Sequence, residues 1–217
     1  SHTTDLAVDF GRKVRNLIAT ESYQEIFPTV ALAVDSKSAG RWNTNSGGEY
    51  YACGIGSSIA GRGADLLLVD DPHSEQDVII GNFEVFEKAY DWFTFGARTR
   101  LMPGGRVAII QTRWHMDDLT GRVTKDMVNN DKSDQYEVVE FPAIMDVENK
   151  KTKEIMQKPL WPEFFDMEAL LRTKASMPVF QWNAQYQQEP TAEEAAIVKR
   201  EWWQMWKKED PPICEYI

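Results

Sequence analysis

The chain has 217 residues, 42% hydrophobic and 27% charged, proportions that exclude a disordered or collagen-like polypeptide. Lys and Arg number 24 against 34 Asp and Glu, a formal net charge of -10, so a basic field over the whole surface is excluded. A polyanion would need a local patch or an energy-driven grip. Two cysteines (Cys53 and Cys214) and three histidines, with no CxxC spacing, exclude a disulfide framework and a structural zinc site.

The length predicts one domain, or one domain with an appendage. No apolar run approaches the ~20 residues that span a bilayer. The opening segment SHTTDLAVDF lacks the basic-then-apolar pattern of a secretory signal, so a soluble, intracellular chain with reduced thiols is expected. The eight tryptophans point to aromatic packing.

Asp5–Ala19 reads as a helix capped by Thr4 or Asp5, because Leu6, Phe10, Val14, Leu17 and Ile18 recur at helical spacing. Tyr23–Phe27 continues as a short turn that Pro28 stops, and Thr29–Val34 is a β-type run. Arg41–Thr44 and Glu49–Cys53 flank Asn45-Ser46-Gly47-Gly48 and predict a hairpin. A glycine-rich loop, GIGSSIAGRG, precedes Leu66–Asp71, an apolar run ending in two acids that suits a strand buried on both faces. Asn82–Leu101 carries the longest helical pattern, with Phe83, Phe86, Tyr90, Phe93 and Ala97 on one face, and Pro103-Gly104-Gly105 ends it. Arg106–Thr112 is a second buried strand, Asp117 or Asp118 caps a helix through Val128, and Tyr136–Phe141 is another strand. This alternation predicts an α/β fold with an open, mostly parallel sheet flanked by helices.

From about Asp146 the texture changes. A charged stretch, ENKKTKEIMQK, leads into helical segments at Met167–Ala175, Pro178–Gln188 and Arg200–Lys207, with no strand pattern until Cys214–Ile217. A boundary near residue 145 divides an α/β core, 1–145, from a helical appendage, 146–217. Trp202 and Trp206 share a helical face and read as a packing surface.

The acids ending LLLVDD carry the sharpest chemical signal. In a nucleotide triphosphatase a buried strand delivers an acid beside the phosphates. Asp70 would hold the Mg2+ shell, and Asp71 would orient or deprotonate the attacking water. An apolar strand ending in Asp is also an ordinary strand end in α/β proteins, so the segment alone leaves both readings open.

The companion string GxxxxGK[ST] is absent. Its nearest counterpart, Gly56 to Gly63, has Arg62 in the lysine position and Gly63 in place of the hydroxyl. A strand follows it, so no helix N-terminus would face the phosphates. Arg62 could instead reach a phosphate on a neighbouring subunit, as arginine fingers do, or be a solvated loop residue. The second strand ends in Gln111-Thr112-Arg113, a polar tip able to sense a γ-phosphate and relay its loss. His73, His115, Asp117 and Asp118 fit loop and cap roles better than a metal site.

Taken in order, these strings resemble the large subunit of the tailed-bacteriophage terminase, the ATP-driven motor that packages DNA into capsids. The resemblance runs along nearly the whole chain, through VRNLI, YQEIFP, GGEYYACGIGSSIAGRGADLLLVDDP, TRLMPGG, IIQTRWHMDDLTGR, FQWNAQYQQEP and the EWW segment. GRGADLLLVDDP followed by TRWHMDDLTGR is its most specific part. It implies a partial P-loop NTPase core of the ASCE type over 1–145, and a C-terminal helical lid or linker subdomain over 146–217 leading toward a nuclease domain.

Matched by position, LLLVDD resembles the Walker B strand, with Asp70 as the Mg2+-associated acid and Asp71 as the catalytic acid. Gln111, Thr112 and Arg113 resemble the coupling motif, and Arg62 lies where some members place a trans-acting arginine. The resemblance implies ATP as substrate with Mg2+, and double-stranded DNA, portal protein, the small terminase subunit and further copies in a ring as partners. It implies the host cytoplasm, transiently at the procapsid, as location, with no membrane.

Three departures accompany it. The Walker A loop and adenine-contacting segment are expected before Ser1, the nuclease acids are expected beyond Ile217, and the second Walker B acid is Asp where Glu is more frequent. A portion of the motor that binds ATP weakly or not at all by itself is therefore expected. The alternative from another class is a non-catalytic module that docks on portal or small-subunit partners through Trp-rich helices. A helicase relative ranks third, because the C-terminal half offers no helicase strings.

Overall fold

The computed structural model of the chain describes residues 1–36, 38–79, 81–149 and 153–191. It divides into two units, Ser1–Val139 and the residues from Glu140 onward. The predicted helix at Arg200–Lys207 and the run Cys214–Ile217 lie outside the described residues.

In the first unit α1 spans Thr4–Ile18 and is capped by Thr3, whose hydroxyl accepts from the Leu6 N–H at 3.3 Å. Its buried positions are Ala7, Gly11 and Ile18, whereas Phe10, Val14 and Leu17 of the expected stripe are exposed. Contact distance decides the face. A Cβ on Gly11 would lie 2.5 Å from the Tyr50 ring and 2.8 Å from the Ala39 carbonyl, so only glycine admits this approach. The Trp42 indole N–H donates to the Gly11 carbonyl across the same contact at 3.1 Å. A short α2, Glu21–Ile26, follows and ends at Phe27.

The predicted hairpin forms from β1, Arg41–Asn43, and β2, Glu49–Tyr51, paired antiparallel. Trp42 and Tyr50 are directly opposite and stack with centroids 4.8 Å apart. Gly47 takes φ +85 at the turn, a conformation open to glycine at little cost. Thr29–Val34 contributes only a bridge between Leu32 and Thr44. Asn45 holds the segment by accepting from the Ala31 N–H and donating to the Thr29 carbonyl.

β3, Ala64–Asp70, and β4, Leu101–Ile110, form a parallel pair. Pro103-Gly104-Gly105 does not end a helix but lies within β4. While β3 advances from Ala64 to Leu66, β4 advances from Leu101 to Arg106, and Gly104 at φ +82 lets the extra residues loop out. The expected long helix is composite. After α3, Glu75–Ile79, α4 runs from Glu84 to Asp91, continues as a π-helical turn over Trp92–Ala97 and tightens to 3-10 over Arg98–Arg100. α5, Leu119–Asn129, completes the cover.

The core of this unit is Val69, Phe93, Ala97, Leu119 and Val123, with Leu67, Val107 and Ile109 packed against it. Among the described residues only one face of the parallel pair is therefore covered, so β3 and β4 are not buried on both faces as their apolar runs suggested. The alternate residues Leu66, Leu68 and Ile110 are 61%, 54% and 57% exposed. The fold is mixed α/β with a parallel pair flanked by helices, and among the described residues the pair has no further strand. Tyr136–Phe141 forms no ladder. A strand needs a neighbour's backbone N–H and C=O groups, no described strand pairs with it, and Val138, Val139 and Phe141 are exposed.

In the second unit β5, Ile144–Glu148, and β6, Ile155–Pro159, pair antiparallel around the charged stretch, where no strand pattern was expected. Ile144, Met145 and Val147 face Pro159, Lys158 and Met156 across it, so apolar residues interleave with the charges that masked the pattern. α6, Met167–Ala175, is capped by Asp166, and α7, Val179–Gln185, follows Pro178. Ile144, Leu170 and Trp182 form the core, and Trp182 stacks on Tyr186 at 4.6 Å. Gln187 and Gln188 act as surrogate strand partners. Their amides bond both backbone groups of Ile144 (3.1 and 2.9 Å) and of Phe141 (3.0 and 3.3 Å). No described helix is long and apolar enough to cross a membrane.

Candidate active site

The ladder register brings two loop origins together. Asp70 ends β3 directly opposite Ile110, which ends β4, so Asp71 and Gln111 leave the sheet side by side. This is the carboxyl end of a parallel pair, where α/β proteins gather their functional groups.

Asp71 turns the chain sharply, with φ +41, a region that costs a non-glycine residue on the order of 1 kcal/mol or more. Its surroundings fix the turn. The Asp71 N–H donates to the Ile110 carbonyl at 2.9 Å, and its carbonyl accepts from the His2 N–H at 2.9 Å. Its carboxylate Oδ1 accepts from the Thr112 N–H at 3.3 Å. Asp71 is exposed and Asp70 half-buried. Burial raises the Asp70 carboxyl above its ordinary range, and the adjacent Asp71 charge raises it further. Two neighbouring carboxylates of this kind favour a cation, which relieves both effects at once.

The predicted tip divides in its contacts. Thr112 meets Asp71 through its backbone. The Gln111 amide is buried at both its oxygen and nitrogen, with no hydrogen-bond partner among the described residues. Arg113 points to a different group. Its Nε donates to both oxygens of Asp118 at 3.1 and 2.9 Å, and its Nη2 to the His115 carbonyl at 3.4 Å. Arg62 joins neither acid. It ion-pairs with Glu49 at 2.7 Å and lies over the Tyr51 ring at 3.9 Å, held by the β1–β2 hairpin.

Asp118 exceeds the cap role read from sequence. Its carboxylate is 0% exposed and accepts from Arg113 and from the backbone N–H groups of Trp114, His115 and Gly121. Removing a carboxylate from water costs several kcal/mol, which this full set of donors offsets. His73 is likewise buried, and its Nε2 accepts from the Leu119 N–H at 2.9 Å. Burial lowers its pKa to about 4, against the raising effects of Asp118 and Asp77, so the ring is neutral near pH 7. His115 lies against Phe83 and Phe86 at 5.1 and 5.3 Å, and its Nδ1 accepts from the Asp117 N–H. The sequence signal for this hub was the cap pattern at Asp117-Asp118. Nothing in the string indicated that Arg113 would fold back on it.

No group of three or more His, Cys, Asp or Glu side chains suited to a metal occurs among the described residues. Mg2+ asks less of the protein, one or two carboxylates with water and phosphate oxygens completing its shell, and the half-buried Asp70 carboxylate at the end of β3 is the candidate for it. Two cavities of about 140 and 260 Å3 lie instead along α4 and α5, around Tyr90 and Asp126, and neither includes the acids. No protein-family model matches the chain, and no curated protein matches it.

Proposed function

We propose that this chain supplies the Walker B and coupling elements of an Mg2+-dependent ATPase of the terminase large-subunit kind, which drives double-stranded DNA into a procapsid. The observation that carries the reading is the junction of the acid pair with the second strand's tip, through the Asp71 carboxylate and the Thr112 N–H. It adds to the resemblance of GRGADLLLVDDP and TRWHMDDLTGR to that family.

Bound Mg2+ would offset the phosphate charge and favour in-line attack. Asp70, at the end of β3, would hold the cation's shell. Asp71 has Oδ1 engaged by Thr112, which leaves Oδ2 to orient the attacking water and accept its proton. Any change in what Oδ2 holds reaches Thr112 through the same carboxylate, whose Oδ1 takes the Thr112 N–H, and this is the coupling step. Arg62 acts on the nucleotide of a neighbouring copy in the ring. The remaining partners in this reading are portal protein and the small terminase subunit, in the host cytoplasm and transiently on the procapsid.

The test is ATP turnover by the protein expressed from its whole reading frame, titrated with Mg2+. Asp70→Asn should raise the Mg2+ concentration for half-maximal turnover at least ~10-fold, a loss of about 1.4 kcal/mol of metal binding. An unchanged Mg2+ dependence contradicts the reading.

One observation favours the non-catalytic alternative, a module that docks on portal or small-subunit partners. Trp161, Phe164 and Phe165 form an exposed aromatic cluster in the second unit, with ring centroids 5.1 and 4.8 Å apart. Nucleotide-dependent stability separates the readings. Occupancy at about 100 times Kd stabilises a binding protein by about 2.7 kcal/mol. No shift with Mg-ATP, alongside a complex with portal protein, supports docking.

A further inference from the structure

We infer that His73 and Asp118 are positioning residues that lock the acid-bearing turn and the coupling tip to one point, the first turn of α5. The inference rests on the proposed reading of Asp71 and Thr112 as the working pair. Neither His73 nor Asp118 is bonded to Asp70 or Asp71. Both bind first-turn N–H groups of α5, which have no partner inside the helix.

Asp118 takes the Gly121 N–H and gathers Arg113, Trp114 and His115, so the segment after Thr112 is anchored to that turn. His73, two residues past Asp71, takes the Leu119 N–H from the opposite strand's loop at 2.9 Å. The acid turn and the tip are thus each tied to α5, and their spacing sets the 3.3 Å contact between Asp71 and Thr112.

The chemistry of His73 argues that its acceptor is what the site uses. Because Nε2 accepts, the ring proton sits on Nδ1, and that atom is buried with no partner. A buried, unpaired N–H is unfavourable, because its lost hydration is not replaced. A phenylalanine would keep the edge-on packing against Phe86, at 4.8 Å, and avoid that cost. What histidine supplies there and phenylalanine does not is the bond to the α5 N-terminus.

The test is amide hydrogen exchange at Thr112, measured without nucleotide in the protein from its whole reading frame. His73→Phe removes the acceptor and should speed Thr112 exchange about 10-fold, although His73 has no bond to that residue. His73→Gln, whose amide oxygen can replace Nε2, should restore the parent rate. If His73→Phe does not fold, Asp118→Asn is read the same way, with the same expected acceleration. An unchanged Thr112 rate in the folded variant, or failure of His73→Gln to restore it, overturns the inference. Turnover keeps the two readings apart. Where the reading of function also holds, His73→Phe lowers kcat with KM for Mg-ATP unchanged. Altered exchange in a protein with no Mg-ATP turnover overturns the function and leaves the positioning role standing.

Discussion

The Asp71 carboxylate accepts a hydrogen bond from the Thr112 backbone N–H at 3.3 Å, joining residues 41 apart in the sequence. The contact follows from strand register. Asp70 pairs with Ile110, both strands end there, and the left-handed turn at Asp71 swings its side chain toward the neighbouring strand's tip. An acid in an extended continuation of β3 would lack this turn. The strain at Asp71 and the contact with Thr112 are therefore two aspects of one arrangement, in a region of the fold where function is commonly placed.

Arg62 separates a local role from a role in another subunit. Its ion pair with Glu49 and its position over Tyr51 are partly exposed, so Arg62→Ala should lower stability by no more than about 1 kcal/mol in urea unfolding. If it also acts on a neighbour, mixing Arg62→Ala subunits with Asp71→Asn subunits should recover turnover that neither has alone. A mixture as inactive as its components removes the proposed role in trans.

Gly121 is where α5 meets the hub most closely. An added Cβ would lie 1.9 Å from the Met116 carbonyl oxygen, which is backbone and cannot rotate away, and 3.0 Å from the Arg113 guanidinium. Gly121→Ala should destabilise the protein by at least ~2 kcal/mol, through displacement of the loop that Asp118 gathers. Gly96 in the π-helical turn is the control. Its nearest neighbour would be the Trp92 ring at 3.8 Å, so Gly96→Ala should be neutral or stabilise by up to about 1 kcal/mol. Urea midpoints of the two variants test the contrast.

His73 sets a pH dependence of stability. Its pKa is about 4 when folded, below the ordinary 6.5, because burial disfavours the cation. Between those values the unfolded chain binds more protons, so stability falls as pH drops from about 6.5 toward 4 and levels off below. Asp70, raised in the fold, contributes in the opposite sense, with stability present at low pH and lost as pH rises through its folded value. The difference between parent and His73→Gln isolates the histidine. Urea midpoints should lie closest near pH 7, where the glutamine amide replaces the neutral ring, and diverge as pH falls from about 6.5 toward 4, with the parent losing stability relative to the variant. Parallel curves would contradict the assignment.

Much of the local structure was legible because short-range chemistry dictates it. Asn45-Ser46-Gly47-Gly48 specifies the hairpin, an acid before an apolar helical pattern specifies a cap, which falls on Asp118 of the two candidates, and LLLVDD specifies a strand, though not one buried on both faces. Other features depended on contacts the string does not contain. The buried face of α1 is the small-residue side, because Tyr50 and Ala39 approach at Gly11. The β5–β6 hairpin was hidden by its charges. Tyr136–Phe141 has strand composition but no neighbour to pair with among the described strands.

The candidate site shows the same division. Asp70, Asp71 and Thr112 were identifiable as strand ends, and the register brings them together. That Arg113 would turn to Asp118, and that His73 would reach Leu119, depended on loop paths fixed by tertiary packing.

The role of Asp71 is tested most directly by the turnover number of Asp71→Asn, at saturating Mg-ATP, in the protein from its whole reading frame. Asparagine preserves the size and the bond to Thr112 but cannot take a proton. The expected result is a fall in kcat of about 100-fold or more, with KM unchanged. A kcat equal to that of the parent would contradict the assignment of Asp71 as the acid that manages the attacking water.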